Sequence, residues 1–280
     1  MMQMMDGKLV SEEILEKLKL DVEDCRKQDI DPTLAVILVG DDPASAIYVK
    51  NKEKACAKVG ITSLAYRLPA DTQERELLDL LADLNERPDV HAILLQLPLP
   101  AHLNSDRLLA AISAEKDADG FHAANIGKLL LQQPAPLPCT PAGVMELLKY
   151  YQIDIAGKEC VVIGRSNIVG KPMALMLLNA HGTVTVTHSK TRDLPAVCRR
   201  ADILVVAVGK AKMITSDYIK PGAVVIDVGI HRMENGKLCG DVDDSEGHAA
   251  YLTPVPGGVG PMTIAMLMKN CVTAARNSAL

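Results

Sequence analysis

Short apolar strands alternate with helical patterns twice along this chain, and no other feature restricts its fold as strongly. In the first series the predicted strands are 34–39, 61–68 and 92–95, and the predicted helices are 45–58, with Ser45 as N-cap, and 72–85. In the second series the predicted strands are 160–163, 183–187, 203–208 and 224–228, and the predicted helices are 172–180 and 193–200. Strands that follow one another through helical crossovers lie parallel in one sheet. The alternation therefore predicts an α/β protein with two α/β domains.

The boundary between the two series is predicted within residues 129–145, which contain four prolines and no charged residue. We predict one domain over 1–138 and a second, Rossmann-like domain over 139–262, with a cleft between them. The end of the chain, 263–280, is predicted to form a helix that packs back on the first domain.

The composition excludes several classes of protein. Thirty Lys and Arg residues stand against 35 Asp and Glu residues, a net charge of −5, whereas a protein that binds nucleic acid through its phosphates has a basic excess. The seven cysteines occur singly, without a C-x-x-C pair, and the seven histidines lack the spacing of metal ligands. We expect no nucleic-acid partner, no disulfide framework and no bound metal.

The sequence also predicts a cytosolic protein with no membrane partner. Its first residues do not combine a cationic segment with an apolar one, as a signal peptide does. The uncharged segment 249–268 contains three prolines and three glycines, which favours a loop leading into a helix over a membrane span.

A nucleotide site is predicted where the strand 160–163 ends at Gly164. A glycine that leaves a buried strand, followed by a helix with Pro172 in its first turn, is typical of phosphate binding at a helix N-terminus. The segment is not a G-x-G-x-x-G motif, because Ser166 occupies the second glycine position and Gly170 comes one residue late. The alternative is a simple strand–turn–helix corner.

The choice of cofactor is predicted from the end of the next strand, 183–187. An NAD site usually has an acidic residue about 20 residues after the glycines, which binds the ribose 2′-hydroxyl. Here the strand is followed by His-Ser-Lys-Thr-Arg at 188–192, with Asp193 as the first acid. Hydroxyl and cationic groups there, together with Arg165, favour the 2′-phosphate of NADP, although a solvated basic turn would have the same composition.

Lys52 is the first candidate for a catalytic residue. It lies at helical spacing with residues 47, 48, 51, 55, 56 and 59, on the face of the helix that we expect to point inward, whereas Lys50 and Lys54 point elsewhere. Burial disfavours the charged form of an amine and would make Lys52 suitable as a base. The alternative is that Lys52 extends along this face to reach water.

Two polar residues complete the candidate site. Gln96 follows the buried strand 92–95 at its carboxyl end, where open α/β sheets bind ligands. Asp119, within the segment 117–121, is well placed to present a carboxylate on a short loop. Either residue could instead be an ordinary turn residue.

Taken together, these motifs resemble the bifunctional methylenetetrahydrofolate dehydrogenase/methenyltetrahydrofolate cyclohydrolase family. The resemblance rests on five segments in the family's order, which are 48–52, 95–100, 116–121, 164–172 and 254–263. It implies that 1–138 is the folate-binding catalytic domain and that 139–262 binds NADP. It further implies oxidation of 5,10-methylenetetrahydrofolate by NADP⁺, hydrolysis of the methenyl product to 10-formyltetrahydrofolate, and a homodimer in one-carbon metabolism.

The resemblance also implies a role for individual residues. Lys52 would be the central catalytic group, Tyr48 would pack along the folate, Gln96 would orient Lys52, and Asp119 would hold the pterin. The residues implied in folate binding are Tyr48, Lys52, Gln96, Leu97, Pro98, Asp119, Pro256, Gly257 and Gly258. Those implied in NADP binding are Gly164, Arg165, Ser166, Ser189 and Ile230.

Two other functions are compatible with parts of the pattern. A two-domain NADP-dependent dehydrogenase of a small hydroxy or amino acid would need a small polar pocket, whereas the segment 95–100 is largely apolar. A nucleotide sensor without enzymatic activity would need the second domain but not an inward-facing Lys52.

Overall fold

The protein is described by a computed structural model that covers residues 2–278, and for Ala44 its backbone only. The strands are β1 (Gln3–Met4), β2 (Thr33–Val39), β3 (Thr62–Leu68), β4 (Ala92–Leu95), β5 (Glu159–Ile163), β6 (Thr183–Thr187), β7 (Ile203–Val206), β8 (Ile214–Thr215), β9 (Val224–Asp227), β10 (His231–Arg232), β11 (Leu238–Cys239), β12 (Val242–Asp243) and β13 (Tyr251–Leu252). The α-helices are α1 (Gly7–Arg26), α2 (Pro43–Val59), α3 (Glu74–Glu86), α4 (Ser105–Ala110), α5 (Ala123–Leu130), α6 (Cys139–Tyr150), α7 (Gly170–Asn179), α8 (Leu194–Cys198) and α9 (Val259–Asn277). Two 3-10 turns cover Ala114–Lys116 and Ser216–Tyr218.

The chain divides into two compact units. We call the unit formed by Glu12–Leu137 and the described residues from Ile264 onward the lysine unit, because it contains Lys52. The nucleotide unit contains the residues up to Ser11 and Pro138–Thr263. Residues 2–11 thus cluster with the second α/β series, whereas the sequence prediction assigned them to the first. The reason is β1, which pairs in parallel with β13.

The lysine unit contains a three-stranded parallel sheet in the order β3-β2-β4. Every residue of β2 is buried, as expected for a central strand covered on both faces, and its sequence is accordingly a continuous apolar run. Leu77, Leu81 and Leu84 of α3 pack on this sheet in one core cluster with Ile37 and Ile93. Parallel pairing brings the carboxyl ends of all three strands to one edge.

The nucleotide unit is built on a six-stranded sheet in the order β1-β13-β9-β7-β5-β6, in which every pair is parallel. Its buried core includes Val161, Leu204 and Val225, which come from three neighbouring strands. Two short pairs accompany the sheet, β8 with β12 and β10 with β11. The predicted α/β class with parallel sheets is confirmed.

The structure corrects the prediction in several local details. Helix α2 begins at Pro43, not at Ser45, because the Asp42 carboxylate caps it by accepting the Ser45 N–H at 2.7 Å. The predicted helix 172–180 begins earlier, at Gly170, and the predicted helix 193–200 shortens to Leu194–Cys198. Helices α1, α4, α5 and α6 were not predicted.

Candidate functional site

Lys52 lies on the buried side of α2. Its side chain is 8% exposed, whereas Lys50 and Lys54 are exposed. The prediction is wrong for three residues of the inward face. Ile47 and Tyr48 are 52% and 38% exposed, and Asn51 is also exposed.

The buried face of α2 is rotated relative to the prediction. It follows Val49, Lys52, Cys56 and Val59, which recur every three or four residues, as expected for one face of a helix. Lys52 is the only charged residue among these four.

The amine of Lys52 is hydrogen-bonded to Gln96. Lys52 Nζ donates to Gln96 Oε1 at 3.0 Å, and Gln96 Nε2 donates to the carbonyl of Leu97. The second bond fixes the orientation of the amide, so its oxygen faces the lysine. The backbone N–H of Gln96 donates to Ile37 O at 2.9 Å, which places the glutamine just beyond β4 at the carboxyl edge of the sheet.

Asp117, which the sequence analysis did not single out, folds the loop that carries Asp119. Its buried carboxylate accepts the N–H groups of Gly120 at 3.0 Å and His122 at 2.7 Å, and the amide of Asn125 at 3.0 Å. A bridge between Asp117 and Ile93 joins the loop to β4. An Asp followed three residues later by Gly is a turn signal that could have been recognised in the sequence.

Asp119 is presented by this loop with both carboxylate oxygens uncommitted. Within residues 2–278 its side chain makes no hydrogen bond. Burial raises the pKa of the Asp119 carboxyl to about 6, the positive charge of Lys52 opposes this shift, and the negative charge of Asp117 adds to it. The structure thus brings Lys52, Gln96 and Asp119 together in one unit.

This group of three can both move a proton and recognise a polar ligand. Lys52 forms no ion pair within the described residues, and its hydrogen-bond partner is the neutral amide of Gln96. A lysine amine in this position is a candidate general acid or base. Asp119 offers acceptors to a ligand that carries adjacent N–H donors.

The other predicted folate-binding residues fall in two places. Leu97 and Pro98 follow Gln96 directly, and the peptide bond between them is cis. Pro256, Gly257 and Gly258 belong to the nucleotide unit, where Gly257 O accepts the N–H of Lys8 at 2.9 Å.

The turn between β5 and α7 has the close packing that a phosphate-binding turn requires. Gly164 has a φ of +123°, and a Cβ there would collide with the carbonyl oxygen of Ala207. A Cβ at Gly170 would collide with the carbonyl oxygen of Gly164. Both positions need glycine, because neighbouring backbone occupies the space that a side chain would take.

The predicted NADP-binding side chains lie around this turn. Ser166 Oγ accepts the N–H groups of Val169 at 3.2 Å and Gly170 at 3.3 Å, so it shapes the start of α7. Arg165, Ser189 and Ile230 are exposed. Their side chains are accessible to a ligand.

In the loop after β6 the first acidic residue serves as a helix cap. The Asp193 carboxylate accepts the N–H of Ala196 at 3.3 Å and caps α8. His188 and Thr191 close the turn before it, with the His188 N–H donating to Thr191 Oγ1 at 2.9 Å. The loop therefore offers Ser189 and basic residues, as the prediction of NADP requires.

The described residues show neither a metal-binding cluster nor a membrane-spanning helix. Across residues 2–278 no cluster of three or more His, Cys, Asp or Glu side chains is arranged to hold a metal ion. Over the same range none of the helices has the length and apolar character needed to cross a membrane.

Comparison with known families gives two matches, separated by residues 120–137. The model of the tetrahydrofolate dehydrogenase/cyclohydrolase catalytic domain matches residues 5–119. The model of the NAD(P)-binding domain of the same enzymes matches residues 138–279.

Individual relatives are similar over nearly their full length. The bifunctional protein FolD of Acetivibrio thermocellus is 58% identical over 276 residues, which are 98% of this chain and 97% of the relative. The crystal structure of the FolD methylenetetrahydrofolate dehydrogenase/cyclohydrolase of Campylobacter jejuni is 52% identical, covers 99% of both chains and has a TM-score of 0.97. The Trypanosoma brucei enzyme, solved with NADP and an inhibitor, is 38% identical, with coverage of 99% and 98% and a TM-score of 0.94.

Proposed function

We propose residue roles from the premise that this chain belongs to the tetrahydrofolate dehydrogenase/cyclohydrolase family. It is a bifunctional enzyme that oxidises 5,10-methylenetetrahydrofolate with NADP⁺ and hydrolyses the methenyl product to 10-formyltetrahydrofolate. The predicted activity and cofactor are confirmed. The similarities do not support the alternative of a small hydroxy or amino acid dehydrogenase.

Lys52 acts as the base of the hydrolytic step. It accepts a proton from the water that attacks the methenyl carbon. The observation that carries this role is its burial beside a neutral partner, with Nζ 3.0 Å from Gln96 Oε1. An amine that Gln96 holds at this position can act as the general base for the attacking water.

Gln96 and Asp119 position the reacting groups. The Gln96 amide is held by the Leu97 carbonyl and keeps the Lys52 amine in one orientation. The Asp119 carboxylate accepts two hydrogen bonds from the ring N–H and amino group of the pterin. Its lack of a partner within the described chain supports this assignment.

The remaining folate contacts are apolar or involve the backbone. Tyr48 is one helical turn from Lys52 and 38% exposed, which supports packing along the folate. Leu97 and Pro98 continue from Gln96. Pro256, Gly257 and Gly258 are assigned to the folate site by family resemblance.

The nucleotide unit holds NADP. The glycine turn at Gly164 and the N-terminus of α7 receive the phosphates, with Ser166 shaping the turn. Arg165 and Ser189 bind the 2′-phosphate, and Ile230 packs against the cofactor. Bound NADP⁺ supplies the acceptor for the hydride that leaves the methylene bridge.

We also propose a cytosolic homodimer. The dimer is implied by the family and is tested by light scattering of the purified protein. The cytosolic location is supported by seven single cysteines, six of which are buried free thiols.

Replacement of Lys52 by Met tests the proposed mechanism directly. Met retains most of the length of the stem and the packing of α2, but it removes the proton acceptor. Hydrolysis of the methenyl compound, followed by its loss of absorbance, should slow by about 10²–10⁴-fold. Hydride transfer should fall less, because stacking and orientation still promote it.

Lys54→Met and Lys50→Met serve as matched controls, because both lysines are exposed on the same helix. Both should leave hydrolysis close to the wild-type rate. A Lys52→Met protein that hydrolyses the methenyl compound normally would show that Lys52 is not the base.

A further inference from the structure

Two buried carboxylates stand at the carboxyl edge of the six-stranded sheet, outside the residues assigned so far. Asp227 ends β9 and is 4% exposed, and Asp241 precedes β12 and is fully buried. A buried carboxylate is costly unless hydrogen bonds compensate for its lost hydration. Their contacts therefore indicate what they hold in place.

Asp241 binds the loop that follows β7. Its Oδ2 accepts the N–H groups of Val208 at 2.8 Å and Gly209 at 2.9 Å, and its Oδ1 accepts the N–H of Lys210 at 2.9 Å. Oδ1 also lies 2.7 Å from His231 Nε2. Each oxygen thus takes two donors, which uses the full acceptor capacity of a carboxylate.

Asp227 binds the segment that follows β9 and the backbone of Asp241 and Val242. Its oxygens accept the N–H groups of Gly229 at 2.9 Å, Asp241 at 3.0 Å and Val242 at 2.9 Å. The two aspartates also meet at Gly229, because its N–H donates to Asp227 and a Cβ there would collide with the side chain of Asp241. They form one rigid network.

This network fixes both neighbours of Ile230. Gly229 is bound through its N–H to Asp227, and His231 is bound through its ring to Asp241. The network also reaches the glycine turn, because Val208 follows Ala207, against which Gly164 is packed. The loops after β5, β7 and β9 are thereby joined at the edge where open α/β sheets bind nucleotides.

We propose that Asp241 and His231 are positioning residues of the NADP site, which set the affinity for NADP⁺ by holding Ile230 and the loop 208–210. This inference rests on the proposed placement of Ile230 beside the cofactor. Asp241 itself is covered by protein and acts through the groups it binds.

His231 offers the cleanest test, because its side chain is 24% exposed and contacts the network through one hydrogen bond, to Asp241. His231→Ala should raise the Kd for NADP⁺, measured by calorimetry, roughly five- to tenfold. Hydrolysis of the methenyl compound without NADP⁺ should be unchanged. His231→Gln, whose amide can donate to Asp241, should restore the Kd to within about twofold of the wild type.

Asp244→Asn is the matched control for a purely structural effect. Asp244 also binds backbone N–H groups, those of His248 and Ala249. These contacts lie near the amino end of β9, because His248 O accepts the N–H of Gly222 at 2.8 Å. This variant should lower the melting temperature and leave the Kd for NADP⁺ unchanged.

The outcomes separate the positioning role from the proposed function. A wild-type Kd in His231→Ala overturns the positioning role, as does an Asp244→Asn variant that weakens NADP⁺ binding equally. Ile230→Ala tests the premise on its own, since a wild-type Kd in that variant would remove Ile230 from the cofactor site.

Discussion

The lysine unit builds its site from side chains, whereas the nucleotide unit builds its predicted site mainly from backbone. In the lysine unit the active groups are side chains, since Lys52, Gln96 and Asp119 are brought together from a helix, a strand end and a loop. In the nucleotide unit the predicted phosphate site is mainly backbone, and Gly164 and Gly170 allow its close packing.

The difference follows from the chemistry that each site performs. Proton transfer needs a side chain that can accept or donate a proton and that is held beside the reacting atoms. Phosphate binding needs fixed N–H donors and space beside them, which glycine supplies. The lysine unit should therefore be sensitive to changes of side-chain charge, and the nucleotide unit to a Cβ added in the glycine turn at Gly164 and Gly170.

The largest effect is expected from Gly164→Ala. The new Cβ would collide with the Ala207 carbonyl, and the φ of +123° is unfavourable for alanine. The free energy of unfolding, measured in urea, should fall by roughly 2–6 kcal/mol. NADP⁺ affinity should fall at least about tenfold.

Gly157→Ala is the control, because its φ is +72° and no atom lies within 4 Å of the added Cβ. It should lose only about 1–2 kcal/mol and bind NADP⁺ normally. Equal losses of stability and NADP⁺ affinity in both variants would mean that the close packing at Gly164 is not required for either.

A smaller effect is expected from Asp119→Asn, which replaces one acceptor by a donor facing the pterin. Folate affinity should fall about 5–150-fold, which corresponds to roughly 1–3 kcal/mol. Both activities should decrease while NADP⁺ binding is retained.

The pH dependence of the wild type provides an independent check on Asp119. Its pKa is raised to about 6, so the carboxylate is present above pH 6 and is lost as the pH falls through that value. Folate affinity should therefore drop below about pH 6 in the wild type, and this step should be missing in Asp119→Asn. A titration with the same step in both proteins would assign it to another group.

The smallest effect is expected from Arg165→Ala, because this side chain is exposed and its charge is screened by solvent. The KM for NADP⁺ should rise roughly five- to tenfold. The KM for NAD⁺, which lacks the 2′-phosphate, should change little.

Arg200→Ala is the control for this loss of charge, because Arg200 pairs with Glu159 at the amino end of β5. It should affect neither cofactor. If Arg165→Ala raised both KM values equally, Arg165 would not distinguish the 2′-phosphate.

Much of the architecture was already determined by local sequence patterns. The strands β4 and β6 were predicted with the bounds that the structure gives them. The buried position of Lys52 also followed from helical spacing alone. Such patterns report burial over a few neighbouring residues, and for that reason they locate strands, helices and their inner faces.

Helical spacing did not predict how the inner face of α2 is rotated. Val49 replaces Tyr48 on the buried side of α2, because the docking of the helix on its sheet decides which of two adjacent residues points inward. Similarly, Asp42 could be assigned as the cap only once its carboxylate was seen to accept the Ser45 N–H.

By itself the sequence determined the two α/β series, the glycine turn at Gly164 and the lysine on an inward helix face. Only the tertiary structure decided that β1 joins the second sheet, that Asp117 folds the loop of Asp119, and that Asp241 binds the loop after β7. The first set depends on periodicity and on turn residues, which are local. The second depends on hydrogen bonds between segments far apart in sequence, whose pairing is decided by the packing of the whole sheet.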